Sequence, residues 1–154
     1  MAKITSDHAL RDALNGLNPE QQRLLGGHFA RSVARLVTAE RVHRAIATAL
    51  REDCTPEELD DAYRAAKAHV TNTYTDCGKE TDWLAQADHF AAAAVAAALA
   101  PETLITERQN RAWKAAVQAR MAINCAMMES SDELGDATEA QRQYAIADAF
   151  LGRA

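Results

Sequence analysis

Apolar residues recur along this chain at spacings of three and four, the repeat of a helix with one buried face. Leu25, Phe29, Val33 and Leu36 form one such stripe, Val42, Ile46 and Leu50 a second, and Leu59, Tyr63, Ala66, Val70 and Cys77 a third. After Pro101 two stripes run side by side, one through Trp113, Val117, Met121 and Met128, the other through Ala112, Ala116, Ala119, Ile123 and Met127. A helix apolar on two sides is expected in the middle of a bundle. Start signals divide the pattern: Ser6, Asn18-Pro19 with Gln21, Thr38, Thr55-Pro56 with Glu58, Thr81, Pro101, and Thr138 with Gln141. Small polar residues there can accept from the first free backbone N–H groups, and proline fits the first helical position. Stops come from Gly16, Gly78, the SSDELGD segment and Gly152. The predicted helices are 7–15, 19–36, 39–52, 56–77, 82–99, 102–129 and 139–151.

Composition sharpens this reading into a fold class. The chain has 154 residues, 35 of them alanine and only eight aromatic, and alanine is the strongest helix former because it loses no side-chain entropy. The expectation is an all-α, single-domain bundle of six or seven helices over residues 1–154, centred on 56–77, 82–99 and 102–129. The segment DHFAAAAVAAALAPE places eight alanines between Ala91 and Ala100. So smooth a helix suits tight antiparallel packing; it also suits a groove floored by methyl groups, with room for something planar. Gly26-Gly27, inside a continuous helical pattern, predicts a close helix crossing or a kink.

Charge and cysteine usage narrow the partners. The net charge is −5 and the pI about 5.5, which makes nucleic acid an unlikely general partner because the phosphates would be repelled. The charge is uneven: residues 1–50 carry seven Lys/Arg against four Asp/Glu, and residues 51–102 four against eleven. A basic face meeting an acidic face, within the chain or in a homodimer, follows from that asymmetry. The three cysteines, Cys54, Cys77 and Cys125, are an odd number without CxxC spacing, so a disulfide framework and a thiolate metal site are not expected. No membrane span and no signal-peptide pattern is found, and the expected setting is cytoplasmic.

Candidate chemistry is sparse. No GxxxxGK[ST], GxGxxG or GxSxG pattern is present, no cofactor is called for, and no catalytic residue is assigned. The histidines, His8, His28, His43, His69 and His89, are not read as helical metal motifs, although His69, Cys77 and His89 could converge across the turn at Gly78. Cys77 in the last turn of a helix, after Asp76, is disfavoured as a thiolate. Arg120 falls on an apolar stripe, where a charge needs a partner; Asp61, Asp82 or Asp88 is expected to supply it. The alternative is a ligand pocket of Arg120, Asn124, His89, Tyr63 and Tyr74. Arg31, Arg35, Arg41 and Arg44, with Arg51, make a basic cluster fit for a solvated face, for docking an acidic protein or, least of the three, for a nucleic-acid contact.

The run from LNPEQQRLLGGHFARSVARLV through RVHRAIATAL, ELDDAYRAAKAH, WLAQADHFAAAAVAAAL and AWKAAVQARMAINC resembles, in composition and helix order, the small alanine-rich helical bacterial proteins grouped as immunity proteins of polymorphic toxin systems. That resemblance implies an all-helical cytoplasmic protein that binds another protein. The leading expectation is therefore a non-enzymatic protein-binding module, immunity-type or adaptor, acting through a helix face. A small-ligand or metal-binding protein with its site between central helices is the alternative.

Overall fold

Local side-chain chemistry sets most of the helix starts in the computed structural model, which describes residues 3–74, 82–106, 109–130 and 135–152. Ser6 accepts from the Ala9 N–H and opens α1 (Asp7–Asn15). Asn18 and Gln21 form a reciprocal capping box at 2.8 and 3.0 Å, with Pro19 first in α2 (Pro19–Arg31). Thr55 and Glu58 do the same at 3.1 Å each for α4 (Pro56–Tyr74). Between these lies α3 (Glu40–Ala49). Asp82 caps α5 (Trp83–Leu99) through the Ala85 N–H; Cys77, Gly78 and Thr81 lie outside the described residues. The last two are α6 (Arg111–Ser130) and α7 (Gly135–Gly152), and no strand occurs among the described residues.

Several boundaries depart from the sequence pattern, each for a visible reason. The predicted helix 19–36 is interrupted: α2 ends at Arg31 and a 3₁₀ turn follows at Ala34–Leu36. Thr38 does not cap α3, whose N-cap Ala39 makes no side-chain bond, because the Thr38 hydroxyl donates to Asp88 at 2.8 Å. Pro101 starts only a 3₁₀ turn, Glu102–Leu104. α6 begins at Arg111, where the Asn110 side-chain oxygen accepts from the Ala112 and Trp113 N–H groups at 2.9 and 3.1 Å. α7 begins at Gly135, which makes Thr138 an internal residue rather than a cap.

Of the helices expected at the centre of the bundle, α5 is the most completely covered. From Ala87 to Leu99 all but Phe90 and Ala93 are buried. α6 buries Ala112, Ala116, Ala119 and Ile123, while Met121 and Met128 on its second apolar stripe are exposed. Around α5 the larger core collects Val33, Val42, Ile46, Val95, Leu99 and Ile123. A second core, of Leu10, Leu14, Leu25, Phe29, Ala112, Ala116 and Ala147, seals α1 and α7 against α2 and α6.

Gly26 and Gly27 are a close crossing. A Cβ on Gly26 would lie 3.0 Å from the Ala98 Cβ and 3.4 Å from the Ala115 Cβ; one on Gly27 would lie 3.2 Å from Ala49 Cβ and from Leu50 Cδ2. Hydrogen in place of a methyl lets α2 press on α5, α6 and α3 at backbone distance. The alanines opposite have no rotamer with which to yield, so Gly26→Val is expected to destabilise the fold by about 1–3 kcal/mol through overpacking, read as a lower denaturation midpoint in urea with unchanged slope.

Candidate functional site

α5 is the floor of a groove whose walls are α4 and α6. Ala93, Ala96, Ala97 and Ala100 lie along the bottom. Tyr63, Lys67, Val70 and Tyr74 rise on the α4 side, Lys114 and Gln118 on the α6 side, and His89 completes the lining of a pocket of about 320 Å³. Methyl side chains leave this space open, because alanine at the floor cannot reach across to either wall. Beyond Tyr63 and Ala100, which line both spaces, the groove continues into a cleft of about 560 Å³ between the starts of α2 and α4 and the end of α5.

His89 is held in place from behind. Its Nδ1 lies 2.8 Å from the Thr73 hydroxyl, and that hydroxyl lies 2.8 and 3.2 Å from the carbonyls of His69 and Val70. The Thr73 hydroxyl is in turn fixed by those two carbonyls, so the contact orients the His89 ring in either tautomer. Burial pushes His89 below the ordinary histidine value, and the neighbouring His69 adds to the shift. The rings of Tyr74 and Phe90 pack against it at 6.1 and 5.2 Å between centroids.

His69 and Asp88 form a buried pair behind the groove. The His69 Nε2 lies 3.1 and 3.2 Å from the two Asp88 oxygens, and the same carboxylate accepts from the Thr38 N–H and hydroxyl at 3.3 and 2.8 Å. Four polar groups from three segments thus satisfy one another, with His69 and Asp88 buried and Thr38 at the exposed edge. Sequence spacing gave no access to this pair, since its members are on α4 and α5. His69 and His89 do approach one another, as a convergent site requires, but Cys77 lies outside the described residues. Among those residues no group of three or more His, Cys, Asp or Glu could hold a metal ion. Two local spacings that resemble helical metal motifs also exist. His8 and Asp12 pair at 3.4 Å on the exposed side of α1, while Glu40 and His43 stand three apart on α3, where His43 Nε2 bonds to the Val37 carbonyl at 2.8 Å.

Of the five expected pocket residues, the structure brings Tyr63, Tyr74 and His89 together and places Arg120 and Asn124 elsewhere. Asn124 is exposed. Arg120 does have a carboxylate partner, but it is Asp7 of α1, not Asp61, Asp82 or Asp88. The two guanidinium nitrogens donate to both Asp7 oxygens at 2.9 and 2.8 Å, and Nε donates to Gln143 Oε1 at 2.8 Å. Tyr144 donates to Asp7 at 2.7 Å, and Gln143 donates to the Ala116 carbonyl at 2.9 Å. This network ties α1 and α7 to α6.

Arg23 and Arg111 were missed as candidates. Each guanidinium serves a helix C-terminus, where carbonyls lack partners and the dipole is negative. Arg23 Nη1 donates to the Ala49 and Arg51 carbonyls, both at 2.7 Å; Arg111 Nε donates to the Ala100 carbonyl at 2.7 Å. Both line the larger cleft. A basic residue at the start of an amphipathic helix carries no signal that it will reach the end of another.

The arginine cluster is as open as expected. Arg31, Arg35 and Arg44 are exposed and Arg41 is half-buried. None of the four forms an ion pair among the described residues, whereas Arg51 is neutralised by Asp53 and Glu58 at 3.2 and 2.9 Å. No helix among the described residues is long and apolar enough to cross a membrane. Comparison of the chain with protein-family models, with curated proteins and with solved structures gives no match. Its class is accordingly defined by the fold and the site: an all-α bundle with a methyl-floored groove over its central helix.

Two carboxylates give opposite pH signatures. The Arg120 hydrogen bonds hold Asp7 at about 2, below the ordinary 3.8. Its contribution is therefore full above pH 3.8 and lost as pH falls toward 2. Burial pushes Glu139 above the ordinary 4.5, against the pull of Arg142 and of the Ser32 hydroxyl. Its contribution is full below 4.5 and lost as pH rises through the elevated value. Urea midpoints across pH 2–7 are expected to fall less steeply below pH 4 in Asp7→Asn than in wild type. Relative to wild type, Glu139→Gln is expected to gain at pH 7 and to lose that advantage below pH 4.5.

Proposed function

We propose that this chain is a binding protein and that a small organic ligand with a flat or extended apolar body occupies the groove over α5. One observation carries the reading: alanines of the central helix, with Ala93 and Ala100 partly exposed, floor a groove between α4 and α6 that is furnished with two tyrosines from α4 and with His89, whose burial disfavours its charged form. Ligand sites are concave, mostly apolar and furnished with a few oriented polar groups, with volumes of roughly 300–1,000 Å³. The groove and its continuation fall within that description. Methyl groups allow close approach of a ring or chain; Tyr63, Tyr74 and His89 supply edge contacts and hydrogen bonds.

The neutral fluorescent probe N-phenyl-1-naphthylamine tests this. Saturable emission with the intact chain is expected, together with a loss of affinity of about tenfold or more in Ala93→Phe. Ala93 is the half-buried floor position, so an aromatic ring there fills the groove without entering the core. Saturable binding undiminished in Ala93→Phe, with an unchanged melting curve, would overturn the groove as the site.

A second reading keeps the protein-binding role that the resemblance to immunity proteins implies. It is favoured by four arginines that form no ion pair among the described residues, Arg31, Arg35, Arg41 and Arg44. These make a cationic surface on a chain of net charge −5, suited to an acidic protein partner. Poly-glutamate at low salt is expected to bind wild type and to be lost on Arg35→Glu/Arg44→Glu, with the thermal melt unchanged; equal binding by the double variant would remove this surface from consideration.

A further inference from the structure

The larger cleft adds a chemical class to the ligand. We infer that Arg23 and Arg111 receive the carboxylate of an acid-headed amphiphile whose apolar body lies along Leu59, Leu99 and Tyr63 toward the alanine groove. The inference rests on the groove reading only in taking the space over α5 as ligand-occupied.

Arg23 is the more deeply held of the two. Its side chain is 9% exposed, Nη1 is used by two carbonyls, and its nearest carboxylate, Glu20, stands at 3.7 Å from Nη2, beyond good hydrogen-bond length. Arg111 is half-buried, donates through Nε to the Ala100 carbonyl, and forms no ion pair among the described residues. Burial and the charge of Arg23 both disfavour its cationic form, with Glu102 opposing them. An arginine nevertheless stays charged in a protein. Two guanidinium groups therefore line one cleft, and their carbonyl bonds leave N–H groups of each unused. A carboxylate entering there would accept from them, the role for which a planar fork of donors is suited.

The three carboxylates that also line the cleft do not occupy this role. Glu20 and Glu102 are exposed at the rim, where solvent and salt screen them, and Asp60 is engaged by Arg64 at 3.0 Å. Arg23 is buried and Arg111 half-buried, so their charges act through a lower effective dielectric than those of the exposed carboxylates. The remaining wall is apolar, with Leu59, Leu99, Pro19 and Pro56. Free inorganic anions would leave that surface unused, whereas an acid with a hydrocarbon body covers both.

Decanoic acid and decanol, the same chain with and without the charge, distinguish the parts of this assignment. Calorimetric titration of the intact chain at pH 7 is expected to give an affinity for the acid about tenfold or more above that for the alcohol. Shift changes are expected at the Leu59 and Leu99 methyl groups. Arg111→Gln retains an N–H donor for the Ala100 carbonyl and removes the charge; it is expected to abolish most of the preference while alcohol binding persists. Equal binding of acid and alcohol would overturn the carboxylate site and leave the groove standing. Absence of binding by either, or a preference unchanged in Arg111→Gln, would overturn the inference, and the neutral naphthylamine probe would then decide the groove separately.

Discussion

The fold depends on how closely α2, α5 and α6 can approach, and that distance is set by hydrogen and methyl side chains. Gly26 meets Ala98 and Ala115, and the facing surfaces of α5 and α6 are built almost entirely of alanine. Close backbone approach gains dispersion contacts over many atom pairs, but each alanine buries little apolar area. The larger side chains are accordingly displaced outward, to Leu10, Leu14, Leu25 and Phe29 beneath α1 and α7 and to Val33, Val42 and Ile46 beside α3. The groove follows from the same choice. Where α4 and α6 diverge over α5, the floor is too short to fill the gap, and an opening remains between elements that are otherwise tightly packed.

An alanine-rich core also makes the bundle rely on polar cross-links for its register. Asn110 reaches back to the Leu14 carbonyl, Arg23 to the end of α3, Gln143 to Ala116, and Asp88 joins α5 to His69 of α4 and to Thr38. Among the described residues no fully buried side-chain nitrogen or oxygen lacks a hydrogen bond. Methyl surfaces are nearly featureless along a helix axis and resist sliding weakly; directed bonds between specific residues specify one register. A network of this kind is costly if any member is unpaired.

The helical pattern was legible because the apolar stripes of α2, α3 and α4 are carried by large residues at helical spacing, and because the boxes at Asn18 and Thr55 are local. What escaped was long-range. Two stripes on α6 suggested a central helix, yet Met121 and Met128 face outward; periodicity reports which face is apolar, not which face is covered. Alanine is equally at home in both settings, so the most completely covered helix, α5, was marked only by its composition. The site shows the same division. Tyr63 and Tyr74 on α4 and His89 on α5 meet because the two helices are packed neighbours, which their adjacency in sequence suggested. Arg120 turned to α1 and α7, which lie far from it along the chain, and Arg23 and Arg111 turned to carbonyls at the ends of other helices. A backbone carbonyl at a helix end is available whatever residue carries it, so no residue type announces such a partner.

The chain's net negative charge would argue against an acidic ligand if charge acted as a total. It acts locally. The acid excess of residues 51–102 includes Glu57, Asp60 and Asp61, which are exposed on α4, in water and within the reach of counterions, where fields fade over about 10 Å at 0.1 M salt. Two basic groups at the cleft are differently placed: Arg23 is buried and Arg111 half-buried, whereas Lys67 and Lys114 stand exposed on the groove walls. Low-dielectric walls concentrate a field that solvent would otherwise dissipate. A molecule approaching from bulk solution encounters an acidic surface overall, but one that reaches the cleft encounters two guanidinium groups with donors to spare. On the proposed reading, weak attraction for polyanions such as nucleic acid and acceptance of a single acid head are compatible consequences of one charge distribution, separated by the size of what is being bound.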